Sequence, residues 1–125
     1  MKFARYSFLF AGVAGLLILL PQFFLEAKVG VDTPPAITHP EFYYGFLGLA
    51  TVFQFIFFLI AFDPSSFRLL IPIAIFEKVS FGIPCLILYL TGRMAVGGFF
   101  LGGMLDLIFA AIFTIALVKV IQGKP

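Results

Sequence analysis

The chain has 125 residues, of which 62% are hydrophobic and only 11% charged, with a mean hydropathy of +1.17. That leaves too little polar surface for a domain dissolved in water, so lipid is the expected solvent. Eight Lys and Arg residues against six Asp and Glu give a net charge of +2, too small a surplus to point to nucleic acid. The one cysteine, Cys85, has no intrachain partner and reads as a small packing residue inside an apolar helix.

Four apolar stretches follow one another, each near the roughly 20 residues that cross a hydrocarbon core. Their approximate bounds are 6–25, 42–62, 67–90 and 96–121. The expected fold is therefore all-α: a single membrane domain, an integral four-helix transmembrane bundle with antiparallel up-down topology.

The first stretch follows Lys2 and Arg5 and resembles a signal peptide at its start. Leu25-Glu26-Ala27 lacks the small-x-small pattern of a cleavage site, so an uncleaved helix is expected. Pro21 cannot donate to the Leu17 carbonyl and should loosen the last turn. The connection from Glu26 to Glu41 carries Gly30, Thr33-Pro34-Pro35 and His39-Pro40, which predicts an irregular loop, with Pro40 in the first turn of the second helix. Asp63 before Pro64 predicts the N-cap of the third helix. Gly92 predicts its end.

Basic residues set the orientation. Lys2, Arg5, Arg68, Lys119 and Lys124 fall on one side, Lys28 and Arg93 on the other. This asymmetry predicts a multi-pass protein of the cytoplasmic (inner) membrane with both termini in the cytoplasm. Tyr43, Tyr44 and Tyr89 then lie at the outer interface and Tyr6 at the inner one.

Glu77 and Lys78 interrupt the third stretch near its midpoint. Charged side chains at that depth are costly and usually face a partner, a cavity or a ligand. Counting 1.5 Å per residue from the outer ends puts Gln54 about 18 Å deep, Glu77 about 20 Å, Lys78 about 18 Å and Asp106 about 15 Å. These residues from three helices form one expected buried polar layer. A third helix that began after Lys78 would be too short to span.

Gly98, Gly102 and Asp106 follow one another at intervals of four residues, about one helical turn. Such small-xxx-small spacing lets a neighbouring backbone approach, so Gly98 and Gly102 are expected at a helix contact and Asp106 beside it. On the third helix Ala74, Glu77, Ser80 and Pro84 form one face, and Lys78, Gly82 and Cys85 an adjacent one about 100° round. Two polar faces imply a central helix with neighbours on both sides. Lys78 is expected to pair across with Asp106. That leaves Glu77 as a carboxylate without a full countercharge, able to handle protons, meet a ligand's hydrogen bond or bind a cation.

Several functions fit such a layer. It can be a structural salt bridge that fixes register, a pocket for a lipophilic small molecule or a membrane-protein partner, or the core of a proton- or ion-coupled carrier. Paired carboxylates also suit an intramembrane isomerase; no catalytic residue is singled out, and enzyme activity stays open. Gln22, Glu26, Asp32, His39 and Glu41 match no established metal-ligand spacing, so no metal is expected. No phosphate loop or nucleophile motif is present, and no resident cofactor is expected.

The strings EFYYGFLGLATVFQ, FDPSSFRLL, FEKVSFG and LYLTGR, with a late Asp in the fourth helix, resemble small bacterial four-helix membrane proteins of the broad DoxX-like kind over about residues 41–110. The resemblance implies a four-helix bundle, and through some members it admits a quinone or a redox partner. It carries no catalytic residue, and the lack of a cysteine pair argues against thiol redox chemistry.

Overall fold

The computed structural model describes residues 1–125. Its elements are α1 (Lys2–Gln22), α2 (Glu26–Asp32), α3 (Pro40–Phe62), α4 (Leu70–Leu90) and α5 (Gly98–Ile121). All but α2 are long and apolar enough to cross a membrane. There are no strands.

α2 is a departure from the irregular loop expected between the first two spans. Its two turns fit between Leu25 and Thr33, ahead of the Pro34-Pro35 pair. Lys28 and Asp32, one turn apart, form an ion pair of 2.5 Å along it. Two tyrosines at the start of α3 then tie this region down. Tyr43 donates to the carbonyl of Gln22 at 2.6 Å, satisfying a carbonyl at the end of α1. Tyr44 donates to Glu26 at 3.0 Å.

Pro40 opens α3, where its missing N–H has no helical acceptor to serve. Asp63 differs from expectation: it follows the last residue of α3 and precedes a run of turns, so α4 begins only at Leu70. Its carboxylate still accepts from the Ser66 backbone N–H at 3.1 Å and hydroxyl at 2.6 Å. It caps a turn in place of a helix.

α4 ends where Gly92 turns the backbone to φ 75°. Arg93 N–H then reaches the Leu88 carbonyl at 2.8 Å and Gly92 N–H the Tyr89 carbonyl at 3.1 Å, the paired bonds of a Schellman stop.

Short connections make α3 antiparallel to α4 and α4 to α5, while α2 and its flanking turns lead the chain from α1 back to α3. α1 packs closely on α3, and α4 on α5; α1 meets α5 and α3 meets α4 more loosely. The bundle is thus two tight helical hairpins laid against each other. Met1 N donates to the Lys124 carbonyl at 2.6 Å, so both terminal segments share one end.

The two ends of the bundle differ. The terminal end is filled by one apolar cluster in which Phe8, Phe57 and Phe113 are fully buried. The rings of Phe8 and Phe113 stack at 4.1 Å, and Phe57 meets Phe113 edge-on at 5.2 Å. The loop end has only a small cluster around Leu19, Tyr43 and Leu47. Dense packing beneath and sparse packing above leave room for a cavity between the hairpins.

Candidate ligand-binding site

The polar residues of the midplane meet at the boundary between these two ends. α4 brings Ile71, Ala74, Lys78, Gly82 and Cys85 to its buried face, a three-four spacing. Lys78 is only 6% exposed. Its ammonium donates to Asp106 Oδ1 at 3.3 Å and lies 3.7 Å from Glu77 Oε2. It rests on aromatic rings, 5.0 Å from the centroid of Phe57 and 5.4 Å from that of Phe109.

Side-chain reach revises the expected division of roles. The side chains of Glu77 and Lys78 leave the helix about 100° apart, yet the long lysine side chain bends until its ammonium lies between two carboxylates. Glu77 is therefore close to a countercharge, but its Oε2 is buried and accepts no hydrogen bond.

The second polar face expected on α4 does not form. Ser80 and Pro84 are exposed on the outside of the bundle, and the Ser80 hydroxyl donates to the carbonyl of Glu77 in its own helix at 2.6 Å. Glu77 stands at the edge of the single buried face.

Gln54 comes from α3 and is 1% exposed. Its Nε2 donates to the Ala50 carbonyl one turn back, at 2.7 Å. That bond settles the orientation of the amide, because a flipped carboxamide would set oxygen against oxygen. Oε1 is left buried with no donor. It points toward α1 at Gly15, where a Cβ would overlap the carboxamide. Gln54 makes no hydrogen bond to the charged trio, so the polar layer is not a closed network.

Above this floor lies a cavity of about 110 Å³. α4 gives it Glu77, Lys78 and Phe81, and α3 gives Phe46, Ala50 and Gln54. A stripe on α1 runs from Ala11 through Gly15 and Ile18 to Gln22, about 16 Å along the axis. Phe99, Asp106 and Phe109 of α5 complete the wall. Its upper walls are apolar apart from Gln22 at the loop end, and its charged groups gather at the bottom.

The expected glycine contact falls elsewhere. A Cβ on Gly98 would meet nothing within 4 Å, and one on Gly102 would only touch Phe81 at 4.0 Å. Both glycines line the cavity instead. The close approach of α4 and α5 is made by Gly82 and Gly103: a Cβ on Gly82 would lie 2.8 Å from the Gly103 carbonyl oxygen, and one on Gly103 would lie 2.6 Å from Cys85 Cβ. Gly103 directly follows Gly102, so the shift is one of rotation about the α5 axis, about 100°, and hardly one of depth. The part played by α1 through Gly15 went unread in the sequence; the run of small residues Ala11, Gly12, Ala14 and Gly15 was its signal.

At the loop end, His39 Nδ1 lies 3.3 Å from Glu41, and both are exposed. Three or more potential metal-binding side chains converge nowhere in the chain.

Fold and site together define an all-helical bundle whose four long helices are apolar enough to sit in a bilayer, with a charged floor under an apolar cavity. No family model, no curated protein and no solved structure matches the chain.

Proposed function

We propose that the protein binds a lipophilic small molecule in the cavity between its two hairpins, with the molecule's polar group on the layer of Gln54, Glu77, Lys78 and Asp106. The observation that carries this reading is a pair of buried acceptors without a hydrogen-bond donor, Gln54 Oε1 and Glu77 Oε2, on residues that line the cavity. Buried polar atoms are nearly always satisfied, because leaving one unpaired costs about 1–3 kcal/mol. An occupant of the cavity supplies what the chain does not.

The same proposal places the chain in a cytoplasmic-type membrane with both termini inside, on the distribution of Lys and Arg, and in the broad DoxX-like group, on the strings quoted above. Two other readings are less well supported. A carrier needs a water path through the layer, and the Phe8, Phe57 and Phe113 plate closes the terminal end beneath it. An isomerase needs a free acid and base, whereas Lys78 stands against both carboxylates.

Purification in a mild detergent followed by native mass spectrometry tests the ligand reading. A stoichiometric adduct that disappears in Gln54→Leu is the expected result. A clean ligand-free monomer from several detergents overturns it.

A further inference from the structure

Resting on the ligand-binding reading, we infer that the ligand is a lipophilic organic cation whose ammonium head carries at least one N–H. Charge is the first reason. Glu77, Lys78 and Asp106 are the only ionisable side chains lining the cavity, and in their ordinary states they sum to −1. An unbalanced charge in an apolar interior is costly, and either a proton on one carboxyl or a cationic head relieves it.

Hydrogen bonding is the second and independent reason. Both unmatched atoms are acceptors. A head group built on a carbonyl, an ether or a carboxylate adds further acceptors and leaves Gln54 Oε1 and Glu77 Oε2 as they were. No protein group hydrogen-bonds either atom. Gln54 Nε2 is held by Ala50, the Thr51 hydroxyl by Leu47 and the Ser80 hydroxyl by Glu77, each on its own helix. Lys78 donates to Asp106, and its ammonium stops 3.7 Å from Glu77 Oε2, beyond hydrogen-bond distance.

The walls suit the rest of such a molecule. Phe46, Phe81 and Phe99 stand above the floor, and aromatic faces favour both a cation and its alkyl substituents. A cavity of about 110 Å³ holds a head group and a short chain. A longer tail leaves toward the loop end, past Ile18 and Gln22.

The probes are three six-carbon compounds: hexylammonium, hexan-1-ol and hexanoate. The full chain in mild detergent is heated with a thiol-reactive fluorophore, which reports unfolding through Cys85, the sole thiol and a buried one. Hexylammonium is expected to raise the melting temperature in a saturable way, while hexan-1-ol and hexanoate at equal concentration do not. Glu77→Gln and Gln54→Leu should each weaken the hexylammonium response at least tenfold. If one of them does not fold, the other carries that arm, and the comparison of probes on the unaltered chain stands without either.

Equal or greater stabilisation by hexan-1-ol overturns the cationic head and leaves the ligand-binding reading intact. So does a neutral lipid found by native mass spectrometry with no response to hexylammonium. A hexylammonium response unchanged in both variants overturns the assignment to this cavity. No response to any probe, together with a ligand-free mass spectrum, sinks both readings.

Discussion

Gln54 of α3 sets its carboxamide carbonyl against the bare backbone of Gly15 in α1, in space that any β-carbon on residue 15 would occupy. The contact joins the first hairpin at the depth of the polar layer. It also leaves an acceptor unpaired on a residue that lines the cavity, because the amide's nitrogen is already held by Ala50. A glycine that lacks a side chain thus helps decide where a glutamine can point.

Gly15→Ala is expected to push the Gln54 carboxamide out of place and to destabilise the hairpin by about 1–3 kcal/mol, the usual range for forced overpacking. The ligand adduct should be lost with it. Denaturant titration in detergent and native mass spectrometry measure the two effects. An alanine variant with unaltered stability and adduct would contradict the packing described.

Lys78→Met leaves Glu77 and Asp106 facing each other without their shared countercharge. Breaking a buried pair from one side typically costs about 3–5 kcal/mol. The double variant Lys78→Met with Asp106→Leu should recover part of that loss, since one uncompensated carboxylate goes too. Unfolding of the two variants side by side gives the comparison; a double variant less stable than the single one would count against Asp106 as the partner.

The glycines of α5 should separate into two groups. Gly98→Ala and Gly102→Ala meet open space or ordinary contact, and alanine is the better helix former by about 1 kcal/mol. Both should leave stability equal or slightly higher. Gly103→Val pushes into Cys85 and should cost about 1–3 kcal/mol. Melting temperatures of the set, read through Cys85 or by circular dichroism, test the ordering.

Phe113→Ala removes the ring shared by Phe8, Phe57 and Phe109. Large-to-small changes of this kind cost about 3–5 kcal/mol, so the variant should unfold well before the glycine variants. Phe62→Ala, on an exposed outer face, should not.

Asp63 gives a pH signature at the end of α3. The Ser66 hydroxyl and then its backbone N–H hold the Asp63 carboxyl below its ordinary value of 3.8. A carboxyl lowered in the folded state adds stability above its ordinary value and loses it as pH falls through the lowered one. Ser66→Ala should therefore be less stable than the unaltered chain at neutral pH, with the gap closing in acid well below 3.8. A gap independent of pH would mean that the serine acts otherwise than through Asp63.

Local chemistry determined much of this protein from sequence. Apolar runs of spanning length set the four long helices, because a bilayer requires every backbone polar group to be satisfied within its own segment. Pro40 and Gly92 mark element ends through restricted or left-handed backbone, which depends on the residue alone. The midplane depth of Gln54, Glu77, Lys78 and Asp106 was open to counting for the same reason, since the rise of a helix is fixed. Rotation and neighbours were not. Only the packed bundle decided that Glu77 stands at the edge of the face that buries Lys78, that Ser80 and Pro84 face outward, and that Gly82 and Gly103 make the close contact rather than Gly98 and Gly102. Which side of a greasy helix turns inward is weakly encoded when nearly every side is apolar. It is set by how large side chains such as Phe8, Phe57 and Phe113 fill one end and leave a hollow at the other.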